Sequence, residues 1–134
     1  MIRNATVAAM FGAVSLSTVA MEVDLNWTLA DKCSSKSPKL MVTNIPGGAT
    51  GLSVKLTDND MASWNHGGGW VKVDGQKSIA IPEGALNAGY NGPCPPNFSS
   101  FGHDYTFSVK AEGKDGVALA TASKTATFSA SKVK

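Results

Sequence analysis

Along residues 21–128, apolar and polar side chains alternate with a period of two. That spacing puts one set on the buried face of a β-strand and the other on its exposed face. Val23, Leu25 and Trp27 are interleaved with Asp24 and Asn26; Leu40 and Val42 follow Pro38; Leu52, Val54 and Leu56 alternate with Ser53, Lys55 and Thr57. Further short runs over 70–73, 77–81, 105–111, 117–121 and 125–128 complete the set. Between them lie stretches rich in glycine and proline that read as turns: IPGGATG, NHGGG, VDGQ, PEGALNAGYNGPCPP and AEGKDG. Seven or eight short strands joined this way predict an all-β sandwich or barrel, with EGKDG as the clearest hairpin turn.

Residues 1–20, MIRNATVAAMFGAVSLSTVA, break the pattern. One cation, Arg3, precedes a run of small apolar residues from Ala5 to Val14, and Thr18 and Ala20 supply the small side chains that precede a cleavage point. This is the arrangement of a secretory signal peptide. The apolar run is too short to span a bilayer and is followed by Ser15, Ser17 and Thr18, and no other stretch is long enough. The expectation is a leader over 1–20 and a single β domain over 21–134, periplasmic or secreted. A chain of 134 residues can bury one core without metals. Its net charge of +2 comes from scattered basic residues rather than blocks, which leaves no footprint for nucleic acid.

Export changes how the cysteines read. Cys33 and Cys94 are the only two, and an even pair in an oxidising compartment is a candidate disulfide, closing a loop worth about 4 kcal/mol in the chain-entropy model. Two buried thiols are the competing reading. Nothing cationic adjoins either cysteine to activate it as a nucleophile.

Chemistry concentrates in two places. LTDNDMASWNHGGGW, residues 56–70, runs from a strand through two aspartates to His66; GHDYTFSV opens a strand with His103 and Tyr105 two apart, hence on one face. These are the only histidines, and both adjoin turns, where a sandwich gathers its sites. A histidine paired with a carboxylate can donate hydrogen bonds to a phosphate or carboxylate. A tyrosine adds a neutral donor, and loop N–H groups add an anion nest. The residues predict a small anionic pocket. Each histidine alone also suits a surface or structural role. A metal site lacks the close ligand pair, such as H-x-x-H, that it would need, and no cofactor is called for.

The ordered elements CSSKSPKLMV, NIPGGATGLSVKLTDND, HGGG, YNGPCPP and GHDYTFSVKA resemble the phosphatidylethanolamine-binding protein family, in particular its bacterial Raf kinase inhibitor-like branch. The resemblance runs from about Cys33 to Phe128. It implies a β-sandwich with Greek-key character and a pocket for phosphate-like or acetate-like anions. That pocket would be formed by Asp58, His66, Pro96, His103 and Tyr105, with Asp60 and Gly102 supporting it. Asn59 stands where the family has proline. Asp104 stands where it has arginine, a negative charge for a positive one near the site. The function expected is a non-catalytic binding protein for a small anionic ligand or phospholipid head group. The alternatives are a regulator docked on a protein partner such as a protease, and, with less support, a hydrolase, for which no G-x-S-x-G serine is present.

Overall fold

The computed structural model describes residues 19–97 and 101–131, so the expected leader lies outside the described residues except for its last two. Seven strands follow in chain order: β1 (Glu22–Leu25), β2 (Leu40–Thr43), β3 (Ala49–Asp58), β4 (Asn65–Lys72), β5 (Ile79–Ile81), β6 (His103–Gly113) and β7 (Ala118–Phe128). One antiparallel sheet has the order β1-β2-β5, the other β4-β3-β6-β7. The chain crosses between them after β2, after β4 and after β5. Short 3-10 turns at Leu29–Asp31 and Lys114–Gly116 are the only helical pieces among the described residues.

The alternation in the sequence fills the space between the sheets. Leu40, Val42 and Ile81 of the small sheet join Leu52, Val54, Leu56, Phe107 and Val109 of the large one in a single buried cluster. Each such side chain contributes roughly 1.5–3 kcal/mol when fully buried. Trp27 lies just beyond β1 rather than within it, and its ring sits 5.3 Å from that of Phe107 and 5.8 Å from that of Phe128. The hairpin expected at EGKDG joins β6 to β7, with Asp115 and Gly116 at positive φ and the Gly113 N–H donating to the Val117 carbonyl at 2.8 Å.

Two expectations are corrected. NHGGG is not a turn: Asn65 through Gly69 belong to β4, and Gly68 pairs with Lys55 of β3. The strand runs so close to other backbone that a Cβ on Gly68 would meet the Val54 carbonyl, and one on Gly67 the Gly89 carbonyl. Nor is there a break between 121 and 125, because β7 is continuous over 11 residues. The apparent gap is Lys124, which pairs with the inward-facing Phe107 and reaches Asp24 of β1 at 3.8 Å. A cation on the core side of an edge strand discourages pairing with another chain.

Candidate functional site

Three strands of the large sheet present titratable side chains inward at one end. Asp58 is the last residue of β3, His66 the second of β4, and His103 opens β6 with Tyr105 two residues on, opposite Asp58. Asp58 is buried, and all of its visible bonding is as an acceptor. Its Oδ2 accepts from His103 Nδ1–H at 2.8 Å, and its Oδ1 accepts from the N–H groups of Asp60 and Met61 at 2.9 and 3.0 Å. A carboxylate can only accept, so Asp58 holds the proton of His103 on Nδ1.

His66 is oriented differently. Its Nδ1 donates to the Asn91 carbonyl at 2.8 Å while its own carbonyl accepts from the Asn91 N–H at 2.8 Å, a two-point clamp on one residue of the YNGPCPP loop. Its Nε2 is buried and has no hydrogen-bond partner among the described residues. The buried Tyr105 hydroxyl makes no well-aligned hydrogen bond among the described residues, although the Asp58 carboxylate and the Cys94 backbone lie beside it. Tyr105 stands between the histidines, with its ring centroid 5.5 Å from His66, edge-on, and 6.2 Å from His103. Trp64, half exposed, lies against the His66 ring at 5.7 Å.

Burial, followed by the charge of Asp58, pushes the Tyr105 phenol well above its ordinary value near 10. Burial, followed by Asp31, does the same to Tyr90. These are the only two tyrosines. Each folded-state pKa is raised and the charged form is the deprotonated one, so the native state holds a proton that the unfolded chain releases. The resulting stability is complete below pH 10 and is lost as pH rises further. An alkaline titration followed at 295 nm and by circular dichroism should therefore show phenolate absorbance only as the fold is lost. Ionisation of either tyrosine near pH 10 in the folded protein would contradict this environment.

The turn after Asp58 is held by hydrogen bonds where the family has proline. The Asn59 N–H, which a proline would lack, donates to the Asp104 carbonyl at 2.8 Å, and Asp60 Oδ2 accepts from the Asp104 N–H at 2.7 Å. Asn59 Oδ1 also accepts from Thr106 Oγ1 at 3.1 Å. Asp104 does not bring its charge into the site. It alternates with His103 and Tyr105, lies on the exposed face of β6, and accepts from Thr127 Oγ1 at 2.6 Å. Gly102 has φ of 71°, and a Cβ there would meet the Phe128 carbonyl, so only glycine allows the chain to enter β6 with His103 turned inward.

Pro96 is half-buried on the loop that carries Cys94, whose backbone lies beside the Tyr105 hydroxyl; it is not brought into hydrogen-bond contact with the histidines. Cys33 and Cys94 form a disulfide with Cα atoms 4.5 Å apart. Asp58, Asp60 and His103 place ligand atoms within 4.8 Å of one another, a spacing that suits a metal ion. Three of the roughly four lone-pair sites of Asp58 are already taken by His103 and two backbone N–H groups. Sequence reasoning missed Asn91 and Trp64. Asn91 acts through its backbone, which no side-chain pattern reports, whereas Trp64 stood two residues before His66 as a visible aromatic.

Comparison with known proteins supports this architecture. The family model described as phosphatidylethanolamine-binding protein matches residues 15–133. No curated protein matches the chain. Among solved structures, the chain is similar to a protein from Chlamydia trachomatis described as a homologue of phosphatidylethanolamine-binding protein, with a TM-score of 0.57 at 21% identity. The match covers 81% of this chain and 97% of that one, and at this identity it speaks to the fold.

Proposed function

This chain belongs to the phosphatidylethanolamine-binding protein family, and from that premise we propose that it is an exported, non-catalytic binding protein for a small oxyanion, a phosphate ester or a carboxylate. The observation that carries this reading is the buried His66 Nε2, which has no hydrogen-bond partner among the described residues, with the Tyr105 hydroxyl, held by no well-aligned hydrogen bond, beside a His103 oriented by Asp58. Leaving such atoms unpaired costs about 1–3 kcal/mol each, a cost a bound ligand removes. Tyr105 supplies a neutral O–H donor to an anionic oxygen. Each histidine, its Nδ1–H engaged, offers Nε2, which accepts from a ligand O–H when neutral and donates when charged.

Recognition without turnover is favoured because no serine, threonine or cysteine is hydrogen-bonded to either imidazole among the described residues, and both cysteines are bridged. Export rests on the leader pattern of residues 1–20 and on the disulfide, a bond that persists in oxidising compartments. No helix among the described residues is long and apolar enough to cross a membrane.

The test is a titration with phosphate, acetate and glycerophosphoethanolamine, following the imidazole nitrogens of the two histidines by NMR. Both should shift together and saturably with at least one ligand. Tyr105→Phe should weaken binding roughly tenfold or more, the effect of removing one hydrogen bond to a charged group. Silent histidines would sink the binding reading, and turnover of glycerophosphoethanolamine would replace it with an enzyme.

A further inference from the structure

The outer face of the large sheet is a second surface, turned away from the paired histidines. In one cross-strand row stand Trp70, Ser53, Lys110 and Thr121; in the next, Lys55, Ser108 and Ser123. The short hydroxyl side chains leave a shallow depression of about 620 Å³ bordered by Lys55 and Lys110. Trp70, opposite Ser53, is outside its lining and leans over Gly51, the residue opposite Lys72. A Cβ on Gly51 would collide with the indole, so one ring face rests on bare backbone, yet the residue remains 53% exposed. Covering a glycine explains the inner ring face. It does not explain why a flat aromatic surface faces solvent.

The surrounding charge narrows the partner. Lys72 follows Trp70 on the same face of β4, Lys55 is diagonal to it, and Lys110 lies two strands away, about 10 Å at the usual strand spacing. Lys110 is paired with Glu112 at 3.2 Å, whereas Lys55 and Lys72 have no ion-pair partner among the described residues. An exposed aromatic plane stacks against the apolar face of a sugar ring. Rows of hydroxyls meet a polyhydroxylated chain, and unpaired ammonium groups complement carboxylates or sulfates. Nucleic acid would call for a denser basic field than a chain of net charge +2 provides, and a bilayer for apolar side chains beyond this single ring.

We infer that the outer face of the β4-β3-β6-β7 sheet, centred on Trp70, Lys55 and Lys72, binds an acidic polysaccharide. The surface is independent of the histidine site, and the two readings fail separately.

Polygalacturonate is the probe, with neutral dextran as its uncharged counterpart, and binding is followed by calorimetry at low and moderate salt. Binding to polygalacturonate should weaken at least tenfold in Trp70→Ala and at least tenfold in the Lys55→Gln/Lys72→Gln double variant. It should be largely kept in Trp70→Tyr and unchanged in His103→Ala; dextran should not bind. A Trp70→Ala variant that binds as the parent does would overturn the proposal, as would loss of binding in His103→Ala with the fold intact. Polyphosphate or phosphatidylglycerol vesicles bound as tightly as polygalacturonate would also overturn it, in favour of a surface that reads charge alone.

Discussion

Asp58→Ala should lower the stability of the protein by about 3–5 kcal/mol, because it leaves several donors unsatisfied at roughly 1–3 kcal/mol each. The residue is 1% exposed, and its side chain satisfies three donors at once: His103 Nδ1, and the N–H groups of Asp60 and Met61. Alanine strands all three and leaves a void between β3 and β6. Asp58→Asn separates the two roles. Its Oδ1 still caps the turn, so the stability loss should be smaller, but its Nδ2 donates where Oδ2 accepted. His103 must then turn its lone pair toward residue 58 and carry its proton on Nε2. Thermal or denaturant melts measure the first effect and the nitrogen shifts of His103 the second. An Asp58→Ala protein within 1 kcal/mol of the parent would mean that the observed hydrogen bonds carry little of the fold.

Reduction of the Cys33–Cys94 bridge is the second large effect. The cysteines are 61 residues apart in sequence, and closing a loop of that length is worth about 4 kcal/mol by restriction of the unfolded chain. The bridge also staples two loops that are hydrogen-bonded side by side: the Cys33 N–H donates to the Pro93 carbonyl at 2.8 Å, and the Gly92 N–H to the Ser34 carbonyl at 2.7 Å. Asn91, which clamps His66, is the next residue along. The denaturation midpoint should therefore fall on reduction, and the His66 signals should broaden or shift more than those of His103, whose orientation depends on Asp58. A reduced protein as stable as the oxidised one would refute this account of the bridge. Equal perturbation of both histidines would refute the proposed link through Asn91.

What the sequence determined by itself followed from periodicity and chemistry. Because the side-chain period of a strand is two, the apolar residues at 52, 54 and 56 could only line one face, and His103 and Tyr105 had to share a side. Asp104 raises the expectation of a negative charge near the site; the structure sets it on the opposite, exposed face of β6, as the same alternation requires. The ordered motifs identified the family, and the match over residues 15–133 agrees with them.

The glycines of β4 were not legible, since three residues without side chains display no alternation and glycine is uncommon in strands. Their role appears only where Val54 and Gly89 press against them. Lys124 looked like a strand break because a charge on the inner face makes sense only once β1 brings Asp24 alongside. The geometry of His66 depends on a backbone carbonyl 25 residues away, and that carbonyl on a loop positioned through Cys33. Local pattern could name both histidines, but only the packed chain decided which ring nitrogen of each is held by a hydrogen bond and which is left without one among the described residues.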